Sequence, residues 1–291
     1  MRPDIAARAV KPAAVKPLLP GMRRLLYVAA VLVLLAGFQL FVLTDHTASY
    51  FAWTIRNPMA ACFLGAGYWA SVAFEALAAR QRIWANARIA VPTVLVFTLL
   101  TLVATLLNLG RFHLGGQFAI STRIVTWAWL AIYIVVPLLM LIILAVQLRT
   151  PGGDPPRSAP LPGWVYGLLA LQAAVLLGLG LALFAAPGQA VAWWPWKLTP
   201  LLAQATGAWL IGFGVAAAHE LVERDARRVL PASFSSVLLA VLQFIALARY
   251  PDRFEWSSAA GAIYVAFLVT MLISGGIGLA WARPRRDAPV S

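Results

Sequence analysis

The sequence predicts an all-α fold: a polytopic integral membrane protein whose eight transmembrane helices form two parallel four-helix repeats. Of its 291 residues, 62% are apolar and 11% are charged, whereas a soluble domain has about 45–50% apolar and about 25% charged residues. A soluble domain of this length cannot bury so much apolar surface, because a large share of any folded surface stays in water. Composition therefore excludes a soluble enzyme and a disordered chain. The single cysteine, Cys62, excludes a disulfide scaffold and a cysteine-based metal site.

Uncharged apolar runs are the second observation, since a membrane-crossing helix needs about 20 apolar residues. Eight such spans are predicted, each bounded by a charge, a proline or a glycine: Leu25–Thr44, Pro58–Ala79, Ile89–Leu109, Ile124–Leu148, Gly163–Ala186, Leu198–Ala218, Val229–Ala248 and Ser257–Ala282. The first span is expected to stay attached, because it is too long for the core of a secretory signal and no cleavage site follows it.

The spans divide the chain into two membrane repeats with polar segments around them. Residues 1–21 are predicted to be a disordered basic tail, and residues 22–148 the first four-helix repeat. Residues 149–162 are a linker whose proline and glycine content forbids a helix. The second repeat follows at residues 163–282, and residues 283–291 form a second tail.

Basic residues are expected on the cytoplasmic side of a membrane protein. With the N-terminus in the cytoplasm, 17 of the 23 lysines and arginines lie on that side and 6 lie outside. The sequence therefore predicts cytoplasmic termini in a plasma membrane of the bacterial type, with anionic lipids of the inner leaflet as partners. The formal net charge of +13 then reports orientation, so no nucleic-acid partner is expected.

The two halves of the chain share landmarks in the same order, which is the third observation. A proline and a glycine are seven residues apart in Pro58–Gly65 and again in Pro200–Gly207. Each half then carries an acid and, later, an arginine before an aromatic residue: Glu75 and Arg111 in the first half, Glu220 and Arg249 in the second. Because four spans is an even number, such copies share one orientation and are related by an axis along the membrane normal.

Charge inside the hydrocarbon layer is costly and therefore marks candidate functional residues. Glu75 and Glu220 are the candidates, and each ends a stripe of small residues spaced by four along its helix. That spacing keeps residues on one face, where small residues let another helix approach. Both acids are thus expected to face the bundle interior as proton or cation sites. The alternative is a pair of interfacial acids bound to neighbouring arginines: Arg80, Arg82, Arg224 or Arg227.

Polar residues also form one face of the third span, spaced three, four and three residues apart: Thr98, Thr101, Thr105 and Asn108. This face runs to the outer surface, where Arg111 follows. It is a candidate lining for a substrate path. Alternatively, the hydroxyls bond to carbonyls of their own helix and the amide joins neighbouring helices.

The outer loops place four tryptophans at one interface: Trp53, Trp193, Trp194 and Trp196. Such residues commonly anchor a protein at the membrane surface. The alternative is an aromatic wall that stacks on a ligand or binds a cation. Together with Arg111, Arg249 and Arg253, this wall would receive an anionic or amphipathic ligand in an outward-facing cavity.

No cofactor or metal is expected. His46 and His113, both at outer ends of spans, are the pair that would suit a haem, which needs two facing histidines. The sequence HELVE after His219 lacks the second histidine of a zinc-protease motif.

These observations favour a transporter of a small molecule or ion, with a site between the two repeats. No enzymatic activity is expected, because no nucleophile–base arrangement is present. The candidate binding residues are Glu75, Glu220, Arg111, Arg249, Thr101, Thr105, Asn108, Trp53 and Trp196. The alternatives are a non-catalytic membrane scaffold or lipid-handling protein, and a membrane-embedded haem or quinone redox protein.

Overall fold

The apolar runs form eight long helices. The computed structural model describes residues 14–283. The helices long and apolar enough to cross a membrane are α1 (Pro20–Val42), α2 (Pro58–Arg80), α3 (Ala90–Leu107), α4 (Ile120–Arg149), α5 (Gly163–Ala185), α6 (Pro200–Glu223), α7 (Ala226–Arg249) and α8 (Ala259–Ala282). Within residues 14–283, short helical turns, loops and isolated bridges make up the rest, with no β-sheet. The chain is therefore an all-α, multi-pass membrane protein.

The helices begin where the sequence supplies caps. Pro58 and Pro200 occupy the first helical positions of α2 and α6, where a missing N–H has no consequence. The Asn57 side chain accepts from the Met59 N–H at 3.1 Å, and the Thr199 hydroxyl accepts from the Leu202 N–H at 3.3 Å. These bonds satisfy backbone donors that a helix start would otherwise leave unpaired.

The predicted boundaries differ most at two helix ends. The first helix begins at Pro20, five residues before the predicted Leu25. Helix α6 continues past the predicted Ala218 to Glu223 and ends at Arg224, which has a φ of 50°. The last turn of α6 is polar. It stays helical because Arg88 of the α2–α3 loop and Arg228 of α7 bind the Glu223 carboxylate in this turn, as described below.

Part of the predicted disordered tail is bound to the loops. Residues 1–13 lie outside the described residues, but residues 14–19 form an extended segment. In it, the Lys16 N–H donates to the Gly153 carbonyl and the Leu18 N–H donates to the Arg82 carbonyl, both at 2.9 Å. Residues 150–162 of the linker are free of helix, whereas Arg149 ends α4. Of the predicted second tail, only Arg283 is described.

The helices alternate in direction, so the loops fall on two sides. The first side carries residues 14–19, the 149–162 linker and the α2–α3 and α6–α7 loops, and is called the linker side. The opposite side carries the α1–α2, α3–α4, α5–α6 and α7–α8 loops. It is called the tryptophan side, because Trp53, Trp194 and Trp196 pack there.

Helices α2 and α6 form the centre of the bundle and are mostly buried. Helix α2 packs on α1 and α7, and α6 packs on α5 and α3. In the first half α3 also packs on α4, and in the second half α7 packs on α8, so the order of helix contacts is the same in both halves. This matched packing is what a duplication predicts, and the duplication itself stays a prediction.

The shared glycines lie at the closest helix approaches in each half. A Cβ added at Gly65 would lie 2.5 Å from the Phe41 backbone nitrogen on α1. A Cβ added at Gly207 would lie 2.6 Å from the Gly180 carbonyl oxygen on α5. Both positions therefore require glycine, because backbone fills the space that a methyl group would occupy.

Candidate functional site

A small cavity lies within the bundle on the linker side of the membrane midplane. Four helices of the second half supply most of its wall, and Phe74 on α2 comes from the first half. Its polar lining residues are Glu220, Gln172, Ser235 and Ser236. The sequence predicted a site between the two halves, whereas this cavity lies chiefly inside the second.

Among residues 14–283, Glu220 is the one acidic residue that lines this cavity. Its residue is only 6% exposed, and within residues 14–283 its carboxylate has no hydrogen-bond or ion-pair partner. Side chains on a helix point toward its N-terminus. The carboxylate of Glu220 therefore points away from the linker side, toward the membrane interior. The predicted alternative, an ion pair with a neighbouring arginine, is not found for Glu220.

Gln172 supplies the amide of the cavity and joins two helices. Its Nε2 donates to Thr270 Oγ1 at 3.0 Å and to Ser274 Oγ at 3.1 Å, which connects α5 to α8. The Ser235 hydroxyl donates to the Ala70 carbonyl at 3.0 Å, which connects α7 to α2. The sequence analysis missed Gln172. The available signal was a lone amide in the middle of an otherwise apolar span.

Glu75 is also buried, at 2% exposure, and its Oε2 has no hydrogen-bond partner within residues 14–283. No ion pair to Glu75 is found there either, so the arginine-paired alternative fails for both acids. The two acids are not in register, because Glu75 follows Pro58 by 17 residues and Glu220 follows Pro200 by 20. Glu75 does not line the cavity at Glu220, and its role as a binding residue stays a prediction.

The arginines of the linker side bind a different acid, Glu223, which the sequence analysis did not select. Arg88 forms a two-point contact with its carboxylate, including Nη2–Oε2 at 2.9 Å, and Arg228 Nη1 donates to Oε2 at 3.1 Å. His219 Nε2 lies 3.1 Å from Oε1. Arg88 also pairs with Asp154 of the linker at 2.7 Å. This ion cluster joins the linker to both loops of the linker side.

Electrostatics on the linker side hold these loop groups in their charged forms. The hydrogen bond to Glu223 raises the pKa of Arg88, an effect that burial opposes. Burial raises the pKa of Asp225, but four backbone N–H groups together outweigh burial and keep that pKa below its usual range. Two of these N–H groups belong to Ser158 and Ala159, so Asp225 also binds the linker.

The polar face of α3 is used for packing. Thr98 and Thr105 donate to carbonyls four residues earlier, at 2.8 Å and 2.7 Å. Asn108 Nδ2 donates to the Gln204 side chain of α6 at 2.6 Å. The Thr101 hydroxyl is buried without a partner within the described part of the chain. These contacts match the packing alternative, and none of the four residues lines the cavity at Glu220.

Trp53 and Trp196 lie inside the protein, so neither a surface anchor nor an exposed aromatic wall describes them. Both are less than 5% exposed. Trp53 packs on Phe112 and Trp129 with ring centroids 5.1 Å and 5.0 Å apart. Trp196 packs in the same way on two rings of the second half, those of Phe254 and Tyr264. The rings bury each other because the tryptophan-side loops fold over the helix ends.

The buried rings Phe112 and Phe254 also bear on which arginines of the two halves hold similar positions. The turn Leu109–Arg111 precedes Phe112, and the turn Pro251–Arg253 precedes Phe254. Arg111 and Arg253 thus hold the same place in these turns, whereas Arg249 ends a long helix. The match of Arg111 with Arg249 as paired functional residues stays a prediction. Both Arg111 and Arg253 are exposed.

Arg249 binds the backbone at the end of α1. The last turn of α1, Phe38–Val42, is a π-helical turn whose carbonyls lack regular partners. Arg249 Nη1 donates to the Phe41 carbonyl and lies 3.5 Å from Cys62 Sγ. Arg249 thus stabilises an irregular helix end.

His113 does not suit a haem iron, because protein groups engage both of its ring nitrogens. Nδ1 donates to the Phe51 carbonyl at 3.0 Å, and Nε2 accepts from the Thr54 hydroxyl at 2.9 Å. Burial lowers the pKa of His113, and the bond to Phe51 opposes that effect in part. Within residues 14–283, no group of three histidine, cysteine or acidic side chains is placed to hold a metal ion.

Comparisons with known protein families, with curated proteins and with solved structures found no match to this chain.

Proposed function

We propose that this membrane protein transports a small molecule or ion, and that the Glu220 cavity is its binding site. One observation carries the proposal: a buried carboxylate, without a partner within residues 14–283, faces a cavity that also presents an amide and two hydroxyls. Ligand pockets commonly present a few polar groups among apolar ones.

The chemistry of the site favours a cation or a proton. An unpaired carboxylate in an apolar interior either binds a proton or attracts a cation, since an isolated buried anion is very costly. The cavity presents no basic side chain that would attract an anion. We therefore infer coupling between the substrate and a proton or cation at Glu220.

The matched packing of the two halves supports a transporter as well, because many transporters are built from repeats. In the orientation that we propose, the linker side faces the cytoplasm of a bacterial-type cell, because the sequence pattern assigns 17 of the 23 basic residues to that side. The Glu220 cavity would then lie nearer the cytoplasmic end of the bundle.

Proton flux into proteoliposomes tests this function. The purified protein is reconstituted with an internal pH dye, and a panel of alkali-metal cations and organic amines of increasing chain length is added under an imposed potential. We expect at least one compound to drive proton flux, and Glu220→Gln to lower that flux by about tenfold or more, since it removes the only acid of the cavity. Glu255→Gln, at an exposed acid of the tryptophan side, is the matched control.

Equal flux in the wild-type protein and in Glu220→Gln would contradict the proposal. An absence of flux with every compound would favour the scaffold or lipid-handling alternative. Protein abundance and thermal stability of both variants, measured in the same membranes, show whether a loss of flux reflects a loss of folding.

A further inference from the structure

A second cavity adjoins the first along α5. It lies toward the tryptophan side. Apart from the Tyr264 hydroxyl and the indole nitrogens, its wall is made of apolar side chains of α5, α6, α8 and the α5–α6 loop. Leu176 lines both cavities. The apolar space and the polar space at Glu220 therefore share this residue of α5 as part of their walls.

The apolar cavity faces the lipid between α5 and α8. These helices make few contacts with each other, whereas α5 packs along α6 and α8 packs along α7. Two residues of the wall, Trp193 and Ile263, are 61% and 64% exposed on the surface that lipid would cover. The cavity is therefore a groove that a molecule in the bilayer can enter sideways.

We expect the partition between the two spaces to include Leu176, because this residue lines both. Gln172 lies one turn before Leu176 on α5 and forms a polar brace to α8 through Thr270 and Ser274. The Leu176 residue is 6% exposed. A molecule that occupies both spaces would pass this leucine side chain.

We propose that the groove and the Glu220 cavity together form one site for a single-chain amphipathic amine. The alkyl chain lies in the groove between α5 and α8, and the ammonium group passes Leu176 to reach Glu220 and Gln172. This inference rests on the proposed function and names its substrate class. The apolar groove matches the chain, and the unpaired carboxylate matches a cationic head group.

Charge selects this class among membrane amphipaths. An anionic head group would meet the unpaired carboxylate of Glu220, and like charges repel strongly where water is scarce. A zwitterionic phospholipid would bring its phosphate close to the same carboxylate. A head group that carries only a positive charge is attracted to the Glu220 carboxylate and brings no negative group that the carboxylate would repel.

Photoaffinity labelling in nanodiscs tests the inference. Dodecylamine and dodecanol, each with a diazirine in the alkyl chain, are titrated onto the protein, and adducts are mapped by mass spectrometry. We expect dodecylamine to label the groove on α5 and α8 at concentrations about tenfold lower than dodecanol, because only the amine pairs with the carboxylate. In Glu220→Gln this preference should vanish, while dodecanol labelling stays unchanged.

Two tryptophan substitutions on α5 test the path past Leu176. Leu176→Trp enlarges the partition and should abolish the preference for the amine without removing labelling of the groove. Leu181→Trp, at a residue that is 60% exposed on the same helix, is the control and should leave both unchanged. Equal labelling by the two probes in the wild-type protein would overturn the inference. Displacement of the amine by phosphatidylethanolamine as effective as by unlabelled dodecylamine would also overturn it.

The photoaffinity experiment and the proton-flux experiment can each give a negative result while the other gives a positive one. Charge-selective labelling without proton flux would support the amine site and refute transport. Proton flux without charge-selective labelling would support transport and refute the amine site.

Discussion

Glu220 and Glu223 lie one helical turn apart at the end of α6, yet their carboxylates have opposite surroundings. Glu223 binds Arg88, Arg228 and His219, including Arg88 Nη2–Oε2 at 2.9 Å. Within residues 14–283, Glu220 binds no cation, although arginines are abundant at this side of the bundle. Glu220 therefore lacks a cationic partner because its carboxylate lies at the cavity, and not because arginines are scarce at this side of the bundle.

Glu223→Gln should destabilise the protein strongly. The substitution removes the charge that Arg88 and Arg228 share, and leaves the buried Arg228 with Asp154, at 3.5 Å, as its remaining acidic partner. Breaking such a buried pair costs about 3–5 kcal/mol. Chemical or thermal unfolding in a mild detergent measures the effect. Glu220→Gln, one turn away, should lower stability little or raise it. A loss in Glu220→Gln as large as in Glu223→Gln would contradict this contrast.

Gly207→Ala should separate α5 from α6. An added Cβ would lie 2.6 Å from the Gly180 carbonyl oxygen and 2.9 Å from the Phe184 nitrogen, so backbone must move. Overpacking of this kind costs about 1–3 kcal/mol, measured as a lower melting temperature and a lower yield of folded protein. Gly178→Ala on α5, where the added methyl group meets open space, is the matched control. Unchanged stability in Gly207→Ala would show that the helices do not approach as described.

Arg249→Gln should reduce stability, whereas Arg111→Gln and Arg253→Gln should not. All three arginines are exposed, but within residues 14–283 only Arg249 donates from its side chain, to the Phe41 carbonyl in the π-helical end of α1. Loss of a charge-assisted bond to a backbone carbonyl costs about 1.5–3 kcal/mol. Melting temperatures of the three variants measure the difference. Equal melting temperatures would show that Arg249 does not stabilise α1.

Stability should fall on acidification, and His113 should account for part of the fall. Because the pKa of folded His113 lies below its usual range, the unfolded state binds more protons as the pH drops. The stability that neutral His113 contributes is fully present above the ordinary histidine pKa of about 6.5, and it declines as the pH falls below that value. Melting temperatures between about pH 8 and pH 5 should therefore fall less steeply in His113→Gln than in the wild-type protein. Parallel profiles would exclude His113 as a source of the acid sensitivity.

Hydropathy predicts the eight helices well because lipid admits few spanning structures other than helices. The interior position of Glu75 and Glu220 also follows from the small residues on the same helix faces. The partners of Gln172 could not be predicted, since Thr270 and Ser274 lie about one hundred residues away along the chain. The burial of Trp53 and Trp196 depends on loops that fold over the helix ends, which hydropathy does not describe. Arg249 was matched with Arg111 because both precede an aromatic residue, whereas the short turns before Phe112 and Phe254 give Arg111 and Arg253 the same place.

Reaction with a hydrophobic carbodiimide tests the central claim most directly, because this reagent modifies carboxylic acids that are not held as anions by a cation. Glu220 and Glu223 are close enough in sequence to be compared by mass spectrometry on one peptide, so each serves as a reference for the other. We predict modification of Glu220, reduced by a bound amine, and no modification of Glu223, which its arginines hold as an anion. Modification of Glu223 to the same extent as Glu220, or no modification of Glu220, would contradict the assignment of Glu220 as the free acid of the cavity.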